Sequence, residues 1–323
     1  MQLPQFLDVL NAQRRLRPYL SPSTLEETPA LGQGIAFKLE NTNPTHAFKI
    51  RGALNAIIAQ ADIAQQRGIV AASAGNHAIG VAYGAALAGA QATIVMPLDT
   101  PQRKVNGARQ HGAHTVLHGA IYDDAEIHAH QLEQEHGWLY ISPYNDPYVV
   151  AGQGTIALEI FDQRPQVQRL VVPTSGGGLL AGIALAAKHI NPGIEVIGVQ
   201  SIATPAMYNI FYDTDFPQQP TIADGLAGDI EPGAITVPIC QKYADKIVLV
   251  EEASIIEAIR WAFQQHGWVL EGAAAVGIAA FLSDRIPRQD PENTVIILSG
   301  GNIDADKFLK LIQAQSGTSR NGA

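Results

Sequence analysis

Cysteine, strong charge and long apolar runs are all scarce in this chain. Cys240 is the one cysteine among 323 residues, which excludes an intrachain disulfide and a cysteine-based zinc cage. Such a count suits a reducing compartment, and a cytoplasmic location is expected. Charged residues make up 16% and the formal net charge is −9. With no long basic run, nucleic acid is not an expected partner. The start, Met1-Gln2-Leu3-Pro4-Gln5, lacks the basic residues and apolar core of a secretory leader. The longest apolar stretch, Gly80 to Pro97, is interrupted by Gln91 and rich in Ala and Gly. It reads as a helix followed by a strand, not as a membrane span. Ten histidines are scattered along the chain. His111 and His114 are three apart and His128 and His130 two apart, and both pairs are expected on the surface. The tail from Ser316 to Ala323 is small and polar and is expected to be disordered.

Hydrophobic residues reach 46%, ample for a core, and the length suggests about two lobes. Short β-rich runs alternate with helical patterns. The runs are Ile35–Leu39, Gly68–Ala72, Ala92–Met96, Thr115–Leu117, Leu170–Val172, Glu195–Val199, Lys246–Val250 and Thr294–Leu298. They are apolar on both faces, as parallel strands covered by helices are. Helices are predicted over Ala53–Ala64, from His77, over Pro101–His111 and over Tyr122–Gly137. The fold class is α/β with two open, mostly parallel sheets in two lobes. Residues 45–145 are expected to form a small lobe that carries a substrate loop. Residues 1–44 with 146–323 are expected to form the large, ligand-holding lobe.

Four places carry chemistry. Lys49 lies between Phe48 and Ile50, on a predicted connection between a strand and a helix. An ammonium shielded by apolar neighbours loses hydration, its pKa falls, and the neutral amine can attack a carbonyl. Ser73-Ala74-Gly75-Asn76-His77 follows a strand and opens a helix. Small residues there admit an anion to the helix-start N–H groups; an ordinary helix cap at Ser73 is the alternative. Ser175-Gly176-Gly177-Gly178-Leu179 repeats the pattern with consecutive glycines, whose entropy cost makes sense where backbone must approach a phosphate. A dinucleotide site would want an acidic residue at the end of the next strand, and that strand ends at Val199-Gln200. A single phosphate group is the preferred reading, with a nicotinamide-dependent oxidoreductase as the competitor. Ser299-Gly300-Gly301-Asn302 ends the last strand, where open α/β sheets bind ligands. An amine, two anion cradles and a polar strand end suggest a phosphorylated cofactor that carries a carbonyl.

These segments, with Ala151-Gly152-Gln153-Gly154-Thr155 and Ala223-Asp224-Gly225, resemble the serine/threonine dehydratase family in its own motif order. That family belongs to the tryptophan-synthase-β-like, fold type II enzymes that use pyridoxal 5'-phosphate. The resemblance implies that Lys49 holds the cofactor as a Schiff base and moves the α-proton. It implies that Phe48 packs near the ring, Asn76 bonds the phenolic oxygen, and Ser299 faces the pyridine nitrogen. Ser175, Gly176, Gly177, Gly178 and Leu179 would bind the phosphate. Gly225 and Glu271 would line the cofactor cavity, Glu271 being otherwise readable as a charge at a helix start. Ser73, Ala74, Gly75, Asn76 and His77 would receive the substrate carboxylate. The activity implied is elimination from L-threonine or L-serine to a 2-oxo acid and ammonia, by an enzyme that pairs as a homodimer.

Three departures refine this. His46-Ala47 stands where the family often has Gly-Ser, which opens the alternative of a bulkier β-hydroxy amino acid, such as 3-hydroxyaspartate or a phenylserine-like compound. Ala74 replaces the serine that racemases place on the opposite face, and an alanine cannot carry a proton. Gln200 stands where some relatives begin a metal site with a glutamate, so no divalent metal is expected. After Asn302 no regulatory domain is expected. A non-catalytic amino-acid sensor on the same scaffold is a further alternative. Arg51 and Asp224 are read as structural ion-pair partners.

Overall fold

The computed structural model describes residues 2–287 and 293–313, so the expectation for the Ser316–Ala323 tail lies outside the described residues. Among the described residues the strands are β1 (Leu25–Glu27), β2 (Ile35–Leu39), β3 (Ile69–Ala72), β4 (Ala92–Met96), β5 (His114–Leu117), β6 (Leu139–Tyr140), β7 (Arg169–Pro173), β8 (Glu195–Ser201), β9 (Lys246–Val250) and β10 (Thr294–Leu298). They form two sheets, ordered β1-β2-β10-β7-β8-β9 and β5-β4-β3-β6. Every pairing is parallel except β1 against β2. The α/β class with mostly parallel sheets is therefore observed. Strands β2, β3, β4, β7 and β10 are buried at every residue, as apolar strands sandwiched between helix layers must be. The sequence pattern missed β1 and β6, which are too short to show a period.

The helices are α1 (Phe6–Leu16), α2 (Lys49–Ala59), α3 (Ala61–Arg67), α4 (Asn76–Ala88), α5 (Gln102–Arg109), α6 (Tyr122–His136), α7 (Pro147–Gln163), α8 (Gly178–Ile190), α9 (Ala206–Tyr212), α10 (Thr236–Tyr243), α11 (Glu252–His266), α12 (Gly272–Leu282) and α13 (Ala305–Gln313). The helix expected over Ala53–Ala64 is corrected at both ends. It begins at Lys49, because Phe48 already has helical dihedrals of −63° and −22°. It stops at Gln60, whose dihedrals of −127° and 33° separate it from α3.

Helices α2, α7 and α8 press backbone to backbone. A Cβ on Gly152 would stand 2.6 Å from Arg51 O, and one on Gly182 would stand 2.3 Å from Val150 O. The Ala151–Thr155 motif thus serves helix packing, where only a glycine fits.

An ion cluster pins α2 from behind. The Arg51 guanidinium donates to Glu40 at 2.7 and 2.9 Å and to Glu159 at 2.6 and 2.9 Å. Lys38 Nζ also donates to Glu159 at 2.7 Å and to Ser23 O at 2.7 Å. The carboxylates hold the Arg51 guanidinium firmly charged against the penalty of burial. Strand β2, the turn after it, α2 and α7 are tied together by this one cluster. Asp224, by contrast, meets Lys307 at 3.5 Å and Lys104 at 3.9 Å with its side chain largely exposed.

Candidate active site

The carboxyl ends of β2, β10 and β7 in the large sheet and of β3 and β6 in the small sheet lead into a common set of turns. The chain after β2 is stitched to the end of β10: Ala47 bridges Gly300, Phe48 N donates to Ser299 O at 3.0 Å, and Gly301 N donates to His46 O at 2.9 Å. That seam ends the connection one turn early, so Lys49 stands as the first residue of α2 and not on a loop as predicted. Its Nζ donates to Pro143 O at 2.8 Å and lies 5.2 Å from the centre of the Phe48 ring. Burial pulls the amine down to about 8, and the Glu271 carboxylate offsets part of that fall. Of the flanking pair, Ala47 is buried, whereas His46 is exposed with φ of +54°.

Between β7 and α8 the carbonyls and the hydroxyl of the glycine turn are engaged by neighbouring elements. Thr236 Oγ1 on α10 donates to Gly176 O at 2.6 Å, and Cys240 Sγ lies 3.7 Å from Gly177 O. Ser175 Oγ donates to Leu226 O at 3.0 Å. Gly177 has φ of +87°, which favours glycine. A Cβ on Gly176 would stand 2.8 Å from the Tyr144 ring, so the turn passes directly beneath that aromatic. Leu179 sends its side chain into the hydrophobic core beside β7 and α7; only its backbone belongs to the turn.

Between β3 and α4 the cap is Gly75, not Ser73. Ser73 Oγ instead accepts from Gly75 N at 3.1 Å, and space beside Gly75 is open to 4 Å. Ala74 packs against the hydrophobic cluster around β3 and β4. His77 is buried, and its Nε2 sits 2.8 Å from Ile141 O. Burial and then the nearby Lys49 charge push this imidazole down to about 3. It is therefore neutral, and a carbonyl partner requires Nε2 to be the donor. Its Nδ1 is buried with no protein partner.

Asn76 Nδ2 donates to Glu271 Oε1 at 2.7 Å, and Asn76 Oδ1 accepts from Asn302 Nδ2 at 2.8 Å. Glu271 precedes α12 but caps nothing with its side chain. Burial lifts its carboxyl to about 7 against the pull of the Asn76 hydrogen bond. A Cβ on Gly225 would lie 3.9 Å from Glu271 Oε1. Ser299 is buried at the end of β10 with its hydroxyl in no protein hydrogen bond among those described. The structure thus brings Lys49, Asn76, Gly225, Glu271 and Ser299 together with the two helix-start turns.

Sequence reasoning overlooked the strap from Ile141 to Asn145. Besides the Lys49 and His77 contacts, its Tyr144 OH accepts from Glu231 N at 3.1 Å and its Asn145 Oδ1 accepts from Ile235 N at 2.9 Å. Two of its contacts use backbone carbonyls, which leave no mark on residue type. Thr236 was also unforeseeable, since it supports the turn from a distant helix. Asn302 was visible within its motif but had no assigned partner. Gln200, where the resemblance places a glutamate in some relatives, is buried and satisfied locally, with Nε2 on Thr204 O at 3.0 Å and Oε1 on Tyr208 N at 2.7 Å. Among the described residues no group of three or more His, Cys, Asp and Glu is arranged to hold a metal, and no helix is long and apolar enough to cross a membrane.

Comparison with known proteins gives this geometry its context. The family described as "Pyridoxal-phosphate dependent enzyme" matches residues 16–300. An L-threonine ammonia-lyase of Thermotoga maritima is 41% identical over 312 residues, spanning 94% of this chain and 77% of the relative. Maize serine racemase superposes with a TM-score of 0.89 at 32% identity, over 96% of this chain and 97% of its own. The processed form of threonine deaminase isoform 2 from Solanum lycopersicum gives 0.87 at 33% identity, over 96% and 89%. The residues present fit the cofactor that the family name carries. Lys49 Nζ is held by Pro143 O, the next residue Tyr144 packs on Gly176 and Gly178 of the glycine turn, and a serine hydroxyl without a protein partner among the described residues ends β10. The match across most of the chain removes the nicotinamide alternative: this chain belongs to the pyridoxal-phosphate dependent enzymes of fold type II.

Proposed function

We propose that this enzyme is an ammonia-lyase that converts L-threonine, L-serine or both to a 2-oxo acid and ammonia by α,β-elimination. The observation that carries the reading is Lys49: a half-buried amine, held at about 8, that donates to Pro143 O on the strap whose Ile141 O also meets His77. The sequence similarity to an L-threonine ammonia-lyase supports the choice of substrate. In this reading Ser175 to Leu179 hold the cofactor phosphate through backbone N–H groups. Phe48, Asn76, Gly225, Glu271 and Ser299 line its ring, and Ser73 to His77 receive the substrate carboxylate. The lobes divide at about residues 45 and 145, the smaller one carrying the carboxylate turn. A homodimer in the cytoplasm is part of the same reading.

Bound there, pyridoxal phosphate supplies an aldehyde that condenses with amines and a ring that withdraws electron density from the α-carbon. The chain's own groups direct the outcome. The helix-start amides of α4 hold the carboxylate and so orient the Cα–H bond toward Lys49. The neutral Lys49 Nζ takes the α-proton. Carrying that proton, the same Nζ assists the β-hydroxyl to leave as water, and the released enamine takes up water to give the 2-oxo acid and ammonia. Ser299 offers a hydroxyl and not a carboxylate to the pyridine nitrogen, which leaves the ring a modest electron sink. Early loss of the β-substituent is then favoured over transamination. Ala74 carries no proton on the opposite face, so racemisation is disfavoured despite the likeness in fold to serine racemase.

The test is ammonia and 2-oxo acid release from a substrate panel. L-threonine or L-serine should be consumed with no D-isomer formed. Turnover confined to 3-hydroxyaspartate or phenylserine-like compounds would move the substrate assignment to the alternative. Ligand binding with no ammonia from any of them would identify a sensor.

A further inference from the structure

The strand-end motif holds one residue that the reaction above leaves without a task. Asn302 Nδ2 donates to Thr45 O at 2.8 Å and to Asn76 Oδ1 at 2.8 Å. A backbone carbonyl can only accept, so the nitrogen of Asn302 must face Thr45, and the amide stands one way round. Its second N–H then dictates the next link. Asn76 must turn its oxygen to Asn302, which leaves its nitrogen for Glu271 Oε1 at 2.7 Å. The opposite placement of Asn76 would set nitrogen against nitrogen at one end and oxygen against a carboxylate oxygen at the other.

Glu271 is held at the far end of this relay. Its backbone N–H donates to Gly300 O at 3.3 Å. A Cβ on Gly300 would stand 2.4 Å from Glu271 Oε1 and 3.2 Å from Asn76 Nδ2. The glycine is therefore what lets the carboxyl and the amide meet. The Asn76 nitrogen has two hydrogens. Glu271 takes one, and the other has no protein acceptor among the described residues.

We propose that Asn302 is a positioning residue: anchored on Thr45 O, it fixes the orientation of Asn76 so that one N–H donor, and not the carbonyl, is presented to the cofactor ring. This rests on the reading that Asn76 contacts the ring's phenolic oxygen. A donor there stabilises the oxygen anion and sets the visible absorption of the lysine-bound cofactor. An acceptor there would oppose it.

The experiment compares the cofactor-loaded wild type with Asn302→Ala, Asn302→Asp and Glu271→Leu. Each is examined by visible absorption, cofactor dissociation constant, borohydride labelling with peptide mapping, and thermal melting. Asn302→Asp turns the donor into an acceptor and Asn302→Ala removes it, so either releases Asn76; Glu271→Leu leaves the anchor on Thr45 O in place. The expected result is a displaced absorption band and cofactor binding weaker by roughly ten- to a hundredfold, the value of one hydrogen bond to a charged group. Asn302→Asp should show the larger change, with Lys49 still labelled and melting close to wild type. Lys49 labelled in all variants, with band and dissociation constant unchanged, would overturn the proposal while leaving the site intact. Wild type labelled anywhere but Lys49 would overturn the site reading, and the proposal with it. Should Asn302→Asp not fold, Asn302→Ala, which removes the donor without adding charge, decides the same question.

Discussion

Lys49 and His77 hang from carbonyls two residues apart on one strap, Lys49 Nζ on Pro143 O at 2.8 Å and His77 Nε2 on Ile141 O at 2.8 Å. One group comes from the large-sheet seam and the other from the first turn of α4, after β3 of the small sheet. The strap therefore sets the spacing between the amine and the turn that faces it.

Lys49→Ala should keep the fold and still take up pyridoxal phosphate non-covalently. Turnover should fall by at least the ~10²–10⁴-fold that a positioned proton carrier contributes. Steady-state kinetics with a cofactor titration checks both halves; near-wild-type kcat would contradict the assignment of the proton carrier.

The neutral state of His77 makes an acid-lability prediction. Its folded pKa of about 3 lies below the ordinary value of 6.5, so the unfolded chain takes the proton first. Between those limits the unfolded state holds more protons, and stability must fall as pH falls from 6.5 through 3. Urea midpoints measured across that window should drop less steeply for His77→Gln than for wild type. Parallel pH profiles would show that another group is responsible.

Arg51 shares its guanidinium between Glu40 and Glu159 in the buried cluster. Removing one partner strands buried charge, so Arg51→Leu should cost about 3–5 kcal/mol. The exposed pair of Lys104 and Asp224, 3.9 Å apart, sets the contrast: Lys104→Ala should change stability by less than about 1 kcal/mol. Denaturant unfolding of the two variants side by side measures the difference.

His46 holds a left-handed backbone with φ of +54° and an exposed ring. A non-glycine residue there costs roughly 1–2 kcal/mol, part of which glycine gives back in chain entropy. His46→Gly should therefore stabilise the protein by about 0.5–1 kcal/mol. If the same variant leaves the substrate preference unchanged, His46 is not a specificity residue; a shift toward bulkier or acidic substrates would make it one.

The sequence disclosed the residues that act through their own type. Lys49 stood out by its apolar neighbours, Ser175 to Gly178 by a glycine run that only a close approach explains, and Ser299 by its place at a strand end. Contacts made by the main chain were hidden. Pro143 O and Ile141 O are donated to by Lys49 and His77, yet any residue supplies a carbonyl. The start of α2 was misplaced because its signal is the seam between Ala47 and Gly300, a pairing of positions 253 residues apart by subtraction of their numbers. Strands β1 and β6 have three and two residues, too few for alternation to register. Gly152 was recognisable as part of a motif, but its reason, contact with the Arg51 backbone, needed three dimensions.

That contact has a wider consequence. With Gly152 against the Arg51 carbonyl and Gly182 against Val150 O, the helix bearing Lys49 sits on a spine with no slack to absorb a bulkier neighbour. Diversification toward new substrates must then come from the rim, through turns such as those at Ser73 and Tyr144. The reacting amine itself stays where the spine puts it.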